Sequence, residues 1–191
     1  PITGGNAEYG AGICCWDNCS PTIAYCVITE NRAEMSGGSG AGMYCRKADP
    51  TVNNCTFSNN SAYTAGGMYN RESNSTVTNC IFVGNSADWT GGMVNGYCSP
   101  TITNCSFIEN SSGHNGGGMN NVSSSVTVIN CTFSGNSTAY GGPYGYGGGM
   151  NNYNGGSPIV ANCTFSANSA RNGGGMSNGC SSGGSDGGSS P

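Results

Sequence analysis

The residues of this chain that could do acid–base chemistry are few and scattered. A glycosidase needs two carboxyl groups facing one sugar, and a calcium-dependent polysaccharide lyase needs acids clustered around the ion. The nine acids are Glu8, Asp17, Glu30, Glu34, Asp49, Glu72, Asp88, Glu109 and Asp186. The sole histidine, His114, lies in the polar segment SSGHNGG and is expected to be a solvated turn residue. We therefore predict that the protein is not an enzyme and holds no cofactor or metal.

The elements that position these residues follow from a repeat. Variants of TVTNCIFVGNSA followed by GGM and Asn recur along the chain, and methionines mark one column at steps of 25 to 31 residues. A fixed period in this range indicates a solenoid or similar array. Cys80 and Phe82 are two residues apart, so they point to one face of a strand, and a bend must fall near Thr78 and Asn79. Three short strands and tight corners in about 25 residues predict one coil of a parallel β-helix.

The predicted fold is therefore all-β, a right-handed parallel β-helix of about six coils of 25–31 residues. We expect residues 1–191 to form one β-solenoid domain, in which 1–9 and 174–191 are partial terminal coils. The segment Pro1–Thr3 resembles the strand PTIT at 100–103, and Asn6 resembles the start of a corner. The Gly-Gly pair before each methionine is expected to supply positive φ at another corner.

Identical positions of stacked coils should form columns, which are predicted as follows. The inner columns are Phe57, Phe82, Phe107, Phe133 and Phe165; Met43, Met68, Met93, Met119, Met150 and Met176; and Cys26, Cys55, Cys80, Cys105, Cys131 and Cys163. A corner ladder of side-chain amides is predicted at Asn31, Asn60, Asn85, Asn110, Asn136 and Asn168. Ile13 and Ile28 extend the methionine and phenylalanine columns.

The cysteines allow two interpretations. Twelve cysteines in a chain of low charge favour an oxidising, extracellular compartment. Cys15 and Cys45 occupy the same position in adjacent coils, about 4.8 Å apart, and are predicted to form a disulfide. The inner cysteine column is expected to pack as buried thiols, with pairwise bridges as the alternative. Cys98 and Cys180 lie in distant coils.

Two outward-facing patterns bear on function. Asn-x-Ser/Thr sequons mark possible glycosylation at Asn18, Asn54, Asn104, Asn130 and Asn162, although the repeat NCT also imitates this sequon. Thr22, Thr51, Thr76, Thr101 and Thr127 stack in a threonine column of the kind that ice-binding solenoids use. Ordinary β-propensity of threonine is the favoured explanation of that column.

The repeats resemble those of the chlamydial polymorphic outer-membrane proteins and of secreted bacterial right-handed β-helix proteins. The shared motifs are FxxN, as at Phe82–Asn85, and GG-apolar, as at Gly91–Met93. The same pairs recur at Phe57–Asn60, Phe107–Asn110, Phe133–Asn136 and Phe165–Asn168, and at Gly66–Met68, Gly117–Met119, Gly148–Met150 and Gly174–Met176. The resemblance implies a right-handed helix and a surface or extracellular role, and it implies no particular enzyme activity.

Composition and the chain ends bear on partners. Charged residues make up 7% of the chain and the net charge is −4, so no basic footprint for nucleic acid exists, and no apolar run is long enough for a membrane span.

No capping helix is predicted over the open β-edges at either end. The first hypothesis is therefore an extracellular structural protein that stacks head to tail with copies of itself into a filament or surface assembly. The alternative is a module of a larger adhesin that binds surface glycans, for which the tyrosines around Tyr140–Tyr153 are candidates.

Overall fold

The computed structural model describes residues 1–34, 37–139 and 145–179, and every regular element in these ranges is a β-strand. The strands pair in parallel with the equivalent strands of the coils before and after them. Two of the resulting sheets contain seven strands each, so the chain makes about seven turns of a parallel β-solenoid. The predicted fold class is confirmed, and the partial end coils supply the strands beyond six. No helix that could span a membrane is found in the described ranges.

Three main sheets form the walls of the solenoid, and each is named here after its inner or outer column. The methionine sheet contains Ile13–Trp16, Met43–Arg46, Met68–Arg71, Met93–Gly96, Met119–Val122, Met150–Tyr153 and Met176–Gly179. The threonine sheet contains Thr22–Ala24, Thr51–Asn53, Thr76–Thr78, Thr101–Thr103, Thr127–Ile129 and Ile159–Ala161. The phenylalanine sheet contains Ile2–Thr3, Val27–Thr29, Thr56–Ser58, Ile81–Val83, Ser106–Ile108, Thr132–Ser134 and Thr164–Ser166.

A fourth, narrow sheet, which we call the serine sheet, was not predicted. It follows the asparagine corner and consists of Arg32–Ala33, Ser61–Ala62, Ser86–Ala87, Ser111–Ser112 and Ser137–Thr138. Two-residue strands of serine and alanine carry too weak an alternation to be recognised as strands in the sequence. The fourth sheet returns the chain from the asparagine corner to the Gly-Gly pair, and it completes the wall of each coil.

The core is a set of side chains stacked in register. Phe82 lies between Phe57 and Phe107, with ring centroids 4.7 and 4.8 Å apart and interplanar angles of 5° and 4°. All three rings and the methionines of the central coils are fully buried. Because the backbone spacing of parallel strands fixes the distance between equivalent side chains, each coil presents the next with the same surface. Burial of this repeated apolar surface is the main stabilising contribution.

The Gly-Gly pairs do not have the positive φ that the sequence predicted. Positive φ occurs one residue earlier, at Gly116 (+60°), Gly147 (+64°) and Gly173 (+63°). The pair itself is glycine for lack of space, because a Cβ on Gly118 would lie 2.6 Å from the carbonyl oxygen of Gly149 and 3.1 Å from Phe133 Cδ1. The FxxN and GG-apolar motifs therefore form one contact. The phenylalanine ring of FxxN packs directly on the backbone of the Gly-Gly pair, which has no side chain in the way.

The first strand also differs from its prediction. Ile2–Thr3 pairs with Ile28–Thr29 in the phenylalanine sheet, whereas the resemblance to PTIT predicted the threonine sheet. Gly5 takes the place expected for Asn6, since the Gly5 N–H donates to Asn31 Oδ1 at 3.0 Å. A three-residue match is compatible with either sheet, and only the hydrogen-bond register of the next coil selects between them.

Candidate functional site

The predicted inner columns lie inside the solenoid, and they are structural. The phenylalanines from Phe57 to Phe133 and the methionines from Met43 to Met150 have no exposed surface, whereas Phe165 and Met176 in the last coil are half-buried. Ile28 and Ile13 pair with Phe57 and Met43 and continue these columns into the first coil. No solvent reaches the central members of these columns, so the side chains that can meet a ligand are those of the outer faces and corners.

The corner ladder of asparagines is a continuous hydrogen-bonded column. Asn110 Oδ1 accepts from both the backbone N–H and the Nδ2 of Asn85, each at 3.0 Å. Asn110 Nδ2 donates to the Phe82 carbonyl and to Asn136 Oδ1, both at 2.9 Å. The same bonds run from Asn31 to Asn168. Each amide thus satisfies polar groups of both neighbouring coils at a corner where the backbone ladder is interrupted.

A second amide ladder was missed by the sequence reasoning. Its members follow the methionines by two residues and are Asn70, Asn95, Asn121, Asn152 and Asn178. The Nδ2 to Oδ1 distances are 2.9 Å for Asn70 to Asn95 and 2.8 Å for Asn95 to Asn121. The recurrent asparagine of GGMxN was the available signal. In the first two coils Cys15 and Cys45 take the place of the asparagine.

The inner cysteine column forms a hydrogen-bonded relay in addition to packing. The backbone N–H of Cys80 donates to Cys105 Sγ at 3.4 Å, and the Cys80 thiol donates to the Thr78 carbonyl at 3.2 Å. Equivalent bonds link Cys55 to Cys80 and Cys105 to Cys131. Hydrogen bonds that the Cys105 thiol donates to the sulfurs of Cys131 and Cys80, together with burial, hold the pKa of Cys105 well above its usual range. Such a thiol stays protonated and is a poor nucleophile.

The disulfide predicted between Cys15 and Cys45 is not present. The two residues are paired in register in the methionine sheet, yet both are free thiols. In-register side chains of parallel strands stay about 4.8 Å apart, whereas a disulfide draws the two Cβ atoms to about 3.8 Å. Cys14 and Cys19, which are exposed, and Cys98 are also free, while Cys180 lies outside the described residues. No group of cysteine, histidine or acidic side chains suited to a metal occurs in the described ranges.

The sequon asparagines are exposed at a corner. Asn54, Asn104, Asn130 and Asn162 have φ between +52° and +55°, and Asn18 has φ +64°. Asparagine tolerates this left-handed conformation better than most residues, which explains its place in the repeat without a glycan. The side chains also bond along the column, with Asn130 Nδ2 3.2 Å from Asn104 Oδ1. Glycosylation at these positions stays a prediction.

Two acids that seemed isolated in the sequence lie at one pocket. Glu34 and Asp88 line a pocket of about 380 Å³ on the serine sheet, with Tyr63 between them in the intervening coil. Glu34 accepts from Ser61 Oγ at 2.7 Å and from Arg32 at 2.8 Å. These hydrogen bonds lower the pKa of Glu34. His114 packs on the Trp89 ring with the centroids 4.8 Å apart, so it is less solvated than predicted.

Four aromatic side chains interact on the outer surface of the first coils. We call Tyr9, Trp16, Tyr44 and Tyr69 the aromatic platform. The ring centroids are 5.1 Å apart for Tyr9 and Tyr44, 5.2 Å for Trp16 and Tyr44, and 5.4 Å for Tyr44 and Tyr69. Tyr44 is buried beneath the other rings, whereas 38% of Trp16 is exposed. The platform lies on the outer face of the methionine sheet in the first coils.

Arginines border the platform. The Arg46 guanidinium carbon lies 5.6 Å from the centroid of the Trp16 ring, within the range of a cation–π interaction. Arg46 Nε is buried and has no hydrogen-bond partner among the described residues. Burial raises the pKa of Tyr44 to about 12, with Arg46 and Arg71 opposing the shift. A hydrogen bond to Glu8 raises the pKa of Tyr9. The phenols are therefore neutral hydrogen-bonding groups at physiological pH.

Beyond the platform, the same outward column becomes polar. Tyr44 and Tyr69 are followed in register by Val94, Asn120 and Asn151. Asn151 Nδ2 donates to Asn120 Oδ1 at 2.9 Å. The column therefore runs over five coils, from aromatic rings to side-chain amides.

Sequence reasoning missed the platform and selected the tyrosine-rich segment instead. Tyr140 and Tyr144 lie outside the described residues, and Tyr146 and Tyr153 are partly exposed at the other end of the chain. The signal was present, since Tyr44 and Tyr69 each follow an inner methionine by one residue. Tyr9 was not identifiable in this way because it belongs to the irregular first coil.

Comparison with known families gives one match. The model of a family described as right-handed beta helix region matches residues 2–107. Among curated proteins no match was found. Among solved structures there was likewise none. The narrower resemblance to the chlamydial proteins stays a prediction.

Proposed function

The chain belongs to the right-handed β-helix family, and from that premise we propose that it is a non-enzymatic, extracellular or cell-surface protein that binds glycans at the aromatic platform. The observation that carries the proposal is the cluster of Tyr9, Trp16 and Tyr69 around the buried Tyr44, with Arg46 over the Trp16 ring. Aromatic side chains offer an apolar face together with a polar edge, which suits the C–H face and the hydroxyl rim of a sugar.

The non-enzymatic part of the proposal is supported by the state of the acids. A general acid near neutral pH requires a raised pKa, as burial in an apolar pocket produces. The Glu34 carboxyl has a lowered pKa and is already bonded to Ser61 and Arg32. The pocket that it shares with Asp88 therefore has the electrostatics of a polar surface depression.

An extracellular location is compatible with the free thiols. The inner cysteines from Cys55 to Cys131 are buried. Oxidation proceeds through an accessible thiolate, so such a column can persist in an oxidising compartment without bridges. The exposed sequon asparagines at Asn54, Asn104, Asn130 and Asn162 are accessible to modification there.

The chain offers a matched pair of tryptophans for a test. Trp16 and Trp89 are the only two in the chain, and both are 38% exposed. In Trp89→Ala the remaining Trp16 is expected to change its fluorescence emission when a bound glycan displaces water from its face. Titration with a panel of neutral and acidic oligosaccharides, followed by fluorescence, measures this change. In Trp16→Ala the change should be absent and the affinity at least tenfold lower.

The opposite pattern would refute the platform as the glycan site. If Trp16→Ala binds the panel as the parent does, or if only the Trp89→Ala variant loses binding, the serine-sheet corner near Trp89 is the site. If neither variant nor the parent binds any glycan of the panel, the proposal of a glycan ligand fails. Unfolding midpoints of the two variants serve as the check that both are folded.

A second candidate function is stacking of copies along the solenoid axis. Its support is that the inner columns are only half-buried in the end coils, at Ile2, Ile13, Ile23 and Cys26 and at Val160, Cys163, Phe165 and Met176. Contact between the two ends of different copies would bury these side chains and extend all three main sheets, a heterologous contact that generates filaments. This assembly would present platforms at regular intervals.

Stacking predicts filaments in electron micrographs and a sedimentation coefficient that rises with concentration. Met176→Lys places a charge in the exposed end of the methionine column and should abolish filament formation and the rise in sedimentation coefficient. Ser177→Lys, whose side chain points outward, should leave it intact. Discrete short rods at all concentrations of the parent protein would contradict stacking.

A further inference from the structure

The outer face of the threonine sheet carries no charged and no aromatic side chain in the described strands. Its first outward column is Thr22, Thr51, Thr76, Thr101, Thr127 and Ile159, and its second is Ala24, Asn53, Thr78, Thr103, Ile129 and Ala161. The first four threonines are exposed. A face of this kind contrasts with the methionine sheet, where rings and arginines are concentrated.

The threonine hydroxyls of this face are available to water. Among the hydrogen bonds of the described residues, none involves the side chains of Thr51, Thr76 or Thr101, or of their column neighbours Thr22 and Thr127. On the neighbouring phenylalanine sheet, by contrast, Ser58 Oγ donates to Thr29 Oγ1 at 2.9 Å and Ser166 Oγ donates to Ser134 Oγ at 3.2 Å. The hydroxyls of the threonine sheet are therefore free of side-chain hydrogen bonds, whereas some hydroxyls of the phenylalanine sheet are bonded to each other.

The first outward column is rigid and regular over its five threonines, whereas Ala24, Asn53, Ile129 and Ala161 interrupt the second. Threonine has a restricted χ1, and each strand is fixed to the next in register over the Val52–Val77–Ile102 inner column. Equivalent hydroxyls and methyls therefore repeat at about 4.8 Å along the axis. That repeat is close to the spacing of water oxygens along the a axis of hexagonal ice.

The size of the face argues against a second copy as its partner. Six strands at about 4.8 Å and three residues at about 3.3 Å give about 300 Å², and a stable protein interface buries about 800 Å² on each partner. A sugar ligand would find neither ring nor charge there. An ordered water lattice, in contrast, needs only hydroxyls for anchoring and methyls that water can enclose.

We propose that the threonine sheet is an ice-binding surface, with Thr51, Thr76 and Thr101 at its centre. The hydroxyls hold waters in ice-like positions and the methyls organise the waters between them. Because the binding energy is summed over a regular array, one bulky side chain at the centre of the face disrupts the match over several coils. The proposal is independent of the aromatic platform, which lies on a different sheet.

The test uses Thr76→Tyr and the matched control Thr132→Tyr, which places the same side chain on the outer face of the phenylalanine sheet. We expect the parent protein and the control to bind a growing ice surface, to slow ice recrystallisation and to give measurable thermal hysteresis. Thr76→Tyr should lose at least nine tenths of that hysteresis with an unchanged unfolding midpoint. Thr76→Val, which keeps the shape and removes the hydroxyl, should retain part of it.

Other outcomes would overturn the proposal. If the parent protein neither binds ice nor inhibits recrystallisation, the proposal is wrong. Equal losses in Thr76→Tyr and Thr132→Tyr would show a non-specific effect. If the parent sediments as a dimer that only Thr76→Tyr dissociates, the face belongs to a second copy, contrary to the proposal.

Discussion

Replacement of Gly118 by alanine is expected to destabilise the solenoid by more than about 3 kcal/mol, beyond the usual range for overpacking of a core. The added Cβ would lie 2.6 Å from the Gly149 carbonyl oxygen, 3.1 Å from Phe133 Cδ1 and 3.2 Å from Asn136 Cγ. The first of these is backbone of the next coil and cannot move aside without separating the two coils. The ring and the amide belong to ladders that span the whole molecule.

Denaturant unfolding followed by circular dichroism measures the effect. Gly96→Ala is the matched control, because Gly96 also lies in the methionine sheet but its added Cβ would meet only the Asn70 carbonyl at 3.8 Å and the Tyr69 hydroxyl at 4.0 Å. Neither Gly96 nor Gly118 has positive φ. The difference in stability between the two variants therefore reports the steric clash of the added Cβ and not strain of the backbone. Similar midpoints for the two variants would show that the close approach of coils does not require glycine.

Replacement of Asn110 by leucine is expected to cost about 4 kcal/mol or more. Leucine has a similar size but removes four hydrogen bonds at the buried corner, those with the Asn85 N–H and Nδ2, the Phe82 carbonyl and Asn136 Oδ1. Asn85 Nδ2 keeps its bond to the Phe57 carbonyl, and Asn136 Oδ1 keeps the bond from the backbone N–H of residue 110, whereas the Asn85 N–H loses its side-chain partner. Each buried polar group left unsatisfied costs about 1–3 kcal/mol. The loss falls in the middle of the ladder, so both halves of the solenoid are affected.

The exposed corner supplies the control for this prediction. Asn104 forms a single side-chain bond in its column beyond that from Asn130, at 3.3 Å to Asn79 Oδ1, and has φ +54°. Glycine adopts that φ without strain, so Asn104→Gly should change the unfolding free energy by less than about 1 kcal/mol. The measurement is again the unfolding midpoint. If Asn110→Leu unfolds at the same midpoint as the parent, water must reach the corner and replace the hydrogen bonds of the amide, contrary to this prediction.

These two variants separate the contributions that the repeat motif combines. Gly118 tests the contact between the Phe133 ring and the backbone of a glycine, and Asn110 tests the polar corner that follows the Phe107 ring by three residues. Since both changes act on Asn136, the double variant should be less destabilised than the sum of the two single variants. The motif FxxN with GG-apolar is therefore one structural unit.

The sequence by itself determined the fold and its inner columns. A period near 25 residues makes each residue the neighbour of its equivalent in the next coil, so register, ladder composition and the bend near Asn79 follow directly from spacing. The methionine, phenylalanine and cysteine columns and the asparagine corner could be numbered in advance for the same reason. Irregular segments lack this constraint, which is why Ile2–Thr3 was placed in the wrong sheet.

Only the tertiary structure showed which side chains of different columns contact each other. The packing of a phenylalanine ring against each Gly-Gly pair and the contact of Tyr9 with the aromatic platform depend on the angles at which corners turn. The free thiols of Cys15 and Cys45 depend on a difference of about 1 Å in Cβ separation between stacked strands and a disulfide. A periodic sequence specifies distances along the axis, whereas contacts around the axis are set by the folded path of each coil.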